Sequence, residues 1–342
     1  MIRVGVVGTG MMGQHHVRIY SENPDIELVG IADTDKERAQ ELAKKYKTKI
    51  YTDYKKLLDQ KPDAVSIAVP TVLHKDFCLE AIKRGIHVLV EKPIADTIEN
   101  GKEIMAAAKE KGLVLMVGHI ERFNPVVERL KKHIDAGKLG QIVHMTAKRV
   151  GPFNPRIKDV GIIIDVGVHD IDIMSYLYSS PIQGTYAIAG NGGSDIETYA
   201  HISLKFANGG SGIIETNRLT PNKIRELHVT GTKGVARADY INQSLEIQDG
   251  QSSSQEEIVK EEPLKREIDH FIECVRDEKD PSITAEDGIH ALEVACAAIN
   301  SYSSNSYNDI TKPALREEVF YKQTLSKDMG RVNQNQHFYA YA

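Results

Sequence analysis

Cysteine is scarce in this chain. There are three, Cys78, Cys274 and Cys296, far apart and odd in number, and none stands in a C-x-x-C pair. That spacing argues against a disulfide framework and a zinc knuckle, and reduced thiols are the simplest expectation. Long apolar runs are also lacking. "VLMV" and its like fall far short of the roughly 20 residues needed to cross a bilayer. No basic segment followed by an apolar one opens the chain, so no signal peptide is expected and the expected location is cytoplasmic. Nor is there an excess of positive charge. Lys and Arg total 43 against 48 Asp and Glu, a formal net charge of −5, so neither a nucleic-acid nor a membrane partner is expected. No internal repeat is visible.

What is present is a change of rhythm along 342 residues, a length for one large domain or two ordinary ones. Up to about residue 120, short apolar runs alternate with helical patterns. The runs are "RVGVVG", "IELVGIA", "DAVSIAV", "HVLVE" and "LVLMVG". They are apolar almost throughout, as strands buried on both faces of a parallel sheet should be. "HKDFCLEAIKRG" ends in Gly85, a good helix terminator. The alternation predicts a doubly wound α/β domain. After about residue 140 the pattern becomes strand-rich. "YAHISLKF" alternates apolar and polar residues, and further short runs end in turn signals. An α+β domain with an open-faced, mostly antiparallel sheet is expected. "GQSSSQEE" reads as an exposed loop. The expected division is 1–121, 122–325 and a tail at 326–342, polar and then aromatic.

"VGVVGTGMMGQHH" holds Gly8, Gly10 and Gly13 as G-x-G-x-x-G. The pattern alone is weak, but here it leaves a strand, opens a helix and is followed by Asp33 at the end of "LVGIAD". That is the full context of a dinucleotide site. Gly8 allows the tight turn, Gly10 the approach of the pyrophosphate, and Gly13 close packing of helix on strand. Thr9, Met11 and Met12 complete the loop. Asp33 can accept hydrogen bonds from the adenosine ribose and repel a 2′-phosphate, with Asp35 adding to the repulsion. NAD is therefore expected over NADP.

Two further strand ends carry polar residues. In "VPTVLH", Pro70, Thr71 and His74 either line the cofactor groove or merely begin a helix. In "HVLVEKPIADT", Glu91 and Lys92 close a strand before Pro93. They are expected to contact the cofactor, and Lys92 is either a solvated turn lysine or an ammonium presented to a substrate oxygen. "DVGVHDIDIM" puts Asp165, His169 and Asp172 four and three residues apart, one face of a helix. An ion shared by Asp and His is one reading. No second histidine lies at ligand spacing and no H-E-x-x-H occurs, so no metal is expected.

As a set, "GTGMMG", "VPTVLH", "EKP", "GHIERFNP" and "DVGVHDID" resemble the glucose–fructose oxidoreductase, inositol dehydrogenase and rhizopine-catabolism (Gfo/Idh/MocA) family. The match of order and spacing covers residues 1 to about 180. The resemblance implies a Rossmann domain, then an open-faced α/β domain, with the active site between them. It implies a cis Lys92–Pro93 bond and metal-free hydride transfer, with Lys92, Asp165 and His169 catalytic. Alcohol oxidation sends a hydride to the nicotinamide while a proton leaves the hydroxyl. His169 is suited to take that proton near neutral pH. Lys92 can stabilise the alkoxide charge, and which of the two is the formal base stays open. Asp165 can orient the histidine or hold a neighbouring hydroxyl, whereas Asp172 reads as structural.

"GHIERFNP" offers His119, Arg122 and Asn124 to a substrate. "AKRVGPFNPRIKDVG" reads as a basic loop whose Arg149 and Arg156 either clamp phosphate oxygens or are simply solvated. Asn217 and Arg218 in "ETNRLTPNKIRELHVTG" add two more contacts. These stretches look most like the nucleotide-sugar branch of the family, which includes UDP-N-acetylglucosamine 3-dehydrogenases. The implied reaction is oxidation of a UDP-N-acetylhexosamine at C3. An inositol, polyol or free-sugar dehydrogenase is the alternative. An NAD-using glycosidase and a non-catalytic NAD-binding regulator are further ones. A homodimer or homotetramer is expected, as is common in the family.

Overall fold

A computed structural model describes residues 1–153, 160–250 and 252–311. Arg156 and the tail at 326–342 lie outside the described residues. Among the described residues two compact units emerge: Met1–His119 with Leu264–Ile289, and Ile120–Pro263 with 290–311.

In the first unit the apolar runs become a six-stranded parallel sheet. Its strands are β1 (Ile2–Val7), β2 (Ile26–Ala32), β3 (Ile50–Tyr51), β4 (Ala64–Ile67), β5 (His87–Glu91) and β6 (Leu115–Gly118), in the order β3-β2-β1-β4-β5-β6. Strand order reverses between β1 and β4, so the carboxyl ends of these two strands border the crevice where open α/β sheets take ligands. Every residue of β4 and β6 is buried, which is why their sequences lack alternation. The helices are α1 (Met11–Glu22), α2 (Lys36–Tyr46), α3 (Tyr54–Leu58), α4 (His74–Lys83) and α5 (Ile98–Lys111). Local chemistry sets their ends. The Asp35 and Thr97 side chains accept from Arg38 N and Asn100 N at the starts of α2 and α5, caps worth about 1 kcal/mol each. Gly85 (φ +76°) follows α4 and Gly112 (φ +62°) ends α5. β3 and α3 are too short to show a period in the sequence.

The second unit holds α6 (Pro125–Asp135), β7 (Ile142–Val150), α7 (Val168–Tyr178), β8 (Ile182–Gly190), β9 (Tyr199–Phe206), β10 (Ser211–Asn217), β11 (Ile224–Gly231), β12 (Gly234–Asp239), β13 (Ser244–Asp249) and β14 (Ser252–Glu256). After α8 (Pro263–Asp277) and α9 (Ala285–Ser304), β15 (Asn308–Asp309) completes a nine-stranded sheet. β7 and β10 pair in parallel, and the other pairs are antiparallel. In β9, Ala200, Ile202, Leu204 and Phe206 face inward, while His201, Ser203 and Lys205 are exposed. Tyr178 of α7 lies 4.1 Å from the Phe206 ring, and Ala187 N donates to Ser301 Oγ of α9. Helices thus cover one face of this sheet.

Three expectations need correction. Residues 252–256 form an edge strand against β13; an all-polar edge strand has no hydrophobic period by which to be recognised. Lys148 and Arg149 lie in β7, not in a loop. Residues 264–289 cluster with the first unit, although their position in the chain had assigned them to the second. Asn23 donates to Asp269 of α8, and a Cβ on Gly288 would lie 2.8 Å from Val117. No described helix is long and apolar enough to cross a membrane.

Candidate active site

The glycine loop packs as tightly as its sequence suggests. Gly8 has φ +89°, and a Cβ there would lie 2.3 Å from Ala68 O; one on Gly13 would lie 1.9 Å from Gly8 O. Only glycine fits either place. α1 begins at Met11 with Gly10 as its cap residue. Among the described residues no side chain caps this end, and its first turn has no acidic residue. Such an end offers N–H groups and a positive dipole to an anion. Met11 is exposed and Met12 half-buried beside it.

Asp33 follows β2. It accepts from Thr9 N and Thr9 Oγ1 at 2.7 Å, from Asp35 N at 2.8 Å, and on both oxygens from Arg38 Nη2 at 3.0 Å. Burial alone would raise its carboxyl pKa, but these bonds outweigh burial and hold it below the ordinary value. A cavity of about 360 Å³ adjoins it, lined by Gly8, Gly10, Asp33, Arg38, Pro70 and Phe77 among others. Tyr54 and Phe77 stack there with centroids 4.0 Å apart. An anion cradle, a ribose acceptor and a largely apolar cavity together fit the pyrophosphate and adenosine of a dinucleotide. Sequence reading missed Arg38. The available signal was Asp35 at the helix cap, which sets Arg38 in the first turn of α2, beside the strand end. Asp35 itself caps α2 and pairs with Arg38 Nη1 at 3.3 Å. Part of the repulsion expected from two aspartates is therefore neutralised.

Pro70 and Thr71 lead into a short 3₁₀ turn, Thr71–Leu73, ahead of α4. His74 is buried and braces the scaffold. Its Nε2 lies 2.9 Å from Val69 O and its Nδ1 3.0 Å from Pro93 O, linking the ends of β4 and β5. Burial pushes its pKa down. It is not a wall of the cavity. Lys92 is half-buried, and the Lys92–Pro93 bond is cis. Glu91 is buried with its Oε1 3.1 Å from His16 Nε2, so its carboxylate serves the interior and not the cavity wall. His119, buried at 1% exposure, follows β6.

In the second unit a single π turn, Ile163–Gly167, precedes α7. Asp165 lies in that turn and His169 in the first turn of α7, so the uniform α-helix expected across 165–172 is interrupted; such turns recur at functional sites. Asp165 Oδ2 accepts from Arg218 Nη2 at 2.6 Å, and Arg218 also donates to Val160 O. His169 is half-buried. Asp172 accepts from Arg122 Nε and Nη2 at 2.8 and 2.5 Å. Asp170 accepts from Arg149 Nε and Nη2 at 2.8 and 3.0 Å, and Arg149 Nη1 reaches Glu121 at 2.7 Å.

These partners revise the expected substrate contacts. Arg149 is 3% exposed, with its donors committed to Asp170 and Glu121. Burial disfavours its charge, but the two carboxylates outweigh burial and hold its pKa above the ordinary value. Arg122 grips Asp172 of α7. Asn124 is buried and caps α6, accepting from Val126 N while donating to Tyr240 O and Glu121. Asn217 accepts from Leu219 N and Thr220 N in the turn after β10. Arg122 and Arg149 thus hold the DVGVHDID segment, and Asn124 and Asn217 hold the backbone near their own positions.

A family description that reads "Oxidoreductase family, NAD-binding Rossmann fold" matches residues 2–119, and its companion "Oxidoreductase family, C-terminal alpha/beta domain" matches residues 131–310. The chain belongs to the Gfo/Idh/MocA oxidoreductase family. It is 31% identical over 325 residues to scyllo-inositol 2-dehydrogenase (NAD(+)) of Bacillus subtilis, spanning 88% of this chain and 94% of that one. It is 28% identical over 284 residues to UDP-N-acetylglucosamine 3-dehydrogenase of Acidithiobacillus ferrooxidans, spanning 80% and 88%. The solved structure of the latter superimposes with a TM-score of 0.84 at 27% identity, covering 89% of this chain and 98% of that one. This Gfo/Idh/MocA member is an NAD-dependent dehydrogenase acting on CH–OH groups, in a family of sugar and polyol dehydrogenases. Gly8 to Gly13 and Asp33 fit the NAD found by its first unit's description. Among the described residues no cluster of metal-ligating side chains occurs.

Proposed function

We propose that this dehydrogenase oxidises the C3 hydroxyl of a UDP-N-acetylhexosamine to a ketone. The observation that carries the reading is the likeness, in sequence and fold, to a UDP-N-acetylglucosamine 3-dehydrogenase over 98% of that solved chain. Held by the Gly8–Gly13 loop and Asp33, NAD would supply the hydride acceptor. His169 accepts the hydroxyl proton, an imidazole being suited to that role near neutral pH. The Lys92 ammonium hydrogen-bonds the same oxygen and stabilises its growing negative charge. Asp165, steadied by Arg218, orients the imidazole or holds a neighbouring hydroxyl. With Arg149 committed to carboxylates, recognition of the diphosphate falls to Arg156.

A second reading, a scyllo- or myo-inositol dehydrogenase, is favoured by the 31% identity to the inositol enzyme. It needs the same Lys92, Asp165 and His169 but no diphosphate contact. The two are separated by NADH formation with UDP-N-acetylglucosamine and with each inositol, confirmed by product mass. The nucleotide-sugar reading expects a kcat/KM at least about tenfold higher for the UDP-sugar, equivalent to about 1.4 kcal/mol. The reverse preference overturns it. Lys92→Ala and His169→Ala should each lower kcat by about 100-fold or more. Near-normal turnover in both would remove them from the chemistry.

A further inference from the structure

Behind the turn that carries Lys92, the first unit buries a row of polar groups that hydride transfer does not use. His16 lies on α1 and is 1% exposed. Its Nδ1 is 3.0 Å from Ser66 Oγ on β4, and its Nε2 is 3.1 Å from Glu91 Oε1 at the end of β5. Ser66 Oγ in turn lies 2.7 Å from Tyr20 Oη, one helical turn further along α1. One arrangement of protons satisfies the row. Tyr20 donates to Ser66, Ser66 donates to His16 Nδ1, and His16 Nε2–H donates to Glu91. The other Glu91 oxygen accepts from Lys92 N at 3.3 Å.

Two buried carboxyls in this region stand in opposite states. Burial would raise Glu91, but the His16 hydrogen bond, with the charge of Lys92 beside it, outweighs burial and holds it low. Glu267 of α8 is 0% exposed, and neither of its oxygens has a hydrogen-bond partner among the described residues. Burial, with Glu91 adding to it, pushes Glu267 well above its ordinary value. The ionised form is thus favoured at Glu91 and the protonated form at Glu267. The groups facing Glu91 are His16 from α1, Lys92 beside it, His74 from α4 and Glu267 from α8.

Location gives the row its consequence. α1 opens at the glycine loop, while β5 ends in the turn that bears Lys92. His16 joins the two through a buried side chain. We propose that His16 is a positioning residue for Lys92: by holding the Glu91 carboxylate, it fixes the lysine's turn against the helix that cradles the cofactor. The proposal rests on the catalytic reading of Lys92 given above. Without the imidazole, the Glu91 carboxylate keeps its desolvation and loses a donor. It then binds a proton or turns to the Lys92 ammonium, and either change displaces the lysine from its working place.

The test is the pH profile of kcat for the intact enzyme. In His16→Leu, kcat should fall about tenfold or more, and the acid limb, which His169 sets in the parent enzyme, should change as Glu91 adds a second proton step to it, because a carboxylate robbed of its donor takes a proton more readily. His16→Gln, whose amide can donate in place of Nε2–H, should restore most of both. Glu91→Gln removes the titrating group, so in that background the acid limb should no longer respond to His16. Glu267→Gln replaces a neutral group by a neutral one and should leave the limb in place. A lowered melting temperature with an unmoved limb in His16→Leu and His16→Gln would make His16 merely structural and overturn the proposal. Should His16→Leu not fold, His16→Asn, whose shorter amide does not reach Glu91, takes its place, alone and with Glu91→Gln: a changed limb in the single variant that is abolished in the double one supports the link, and an unchanged limb in the single variant rejects it. If Lys92→Ala turns over normally, the catalytic reading fails. If Lys92→Ala is inactive and the limb ignores His16, only this inference fails.

Discussion

Asp33 shows how a single residue can be read in sequence while its setting stays hidden. Its place at the end of β2, about twenty residues beyond the glycines, marks it as the ribose acceptor. Arg38 Nη2 at 3.0 Å from both its oxygens does not appear in any motif. The pair makes a prediction. Asp33→Ala removes the anion that repels a 2′-phosphate and frees the guanidinium to meet one. The ratio of kcat/KM for NADP to that for NAD should rise about tenfold, or about 1.4 kcal/mol. An unchanged ratio would exclude Asp33 from the cofactor site. Arg149 teaches the converse. A basic residue near prolines and glycines suggests a phosphate clamp, but partners distant in sequence, Asp170 and Glu121, engage its donors.

Among the elements, α7 is the one whose placement bears most directly on the proposed chemistry. It carries His169, and Asp170 and Asp172 on the same helix are each gripped by an arginine from elsewhere, Arg149 in β7 and Arg122 ahead of α6. The helix is legible in "HDIDIMSYLY", and its polar residues look like a metal or acid–base cluster. In the folded chain both of its aspartates are anchors. Arg149→Met should therefore cost about 3–5 kcal/mol of stability, because Asp170 and Glu121 would remain buried without their counter-ion. Denaturant unfolding measures it, and a loss below about 1 kcal/mol would mean the pair is replaceable. β14 marks the limit of pattern reading at this scale: five polar residues become a strand only because β13 offers them an edge.

For the whole molecule, the nine-stranded sheet has a face that carries exposed Ile188, His201, Ser203 and Ile213 on adjacent strands. We propose a homodimer or homotetramer that buries this face. Ile188→Glu with Ile213→Glu would set like charges across such a contact, and sedimentation should show the assembly falling to monomers; a monomeric parent protein would reject the idea. The sequence by itself determined the alternation of strand and helix in the first unit, the glycine loop with Asp33, and the motif positions of Lys92, Asp165 and His169. Those follow from local rules: backbone conformation, hydrophobic period and the turn a strand end requires. Only the tertiary structure decided that α8 joins the first unit, that Arg122 and Arg149 serve Asp172 and Asp170, and that His16 meets Glu91. Each of these pairings joins residues far apart in the chain. Burial removes water as an alternative partner, so which groups meet is set by packing, and packing has no signature in local spacing.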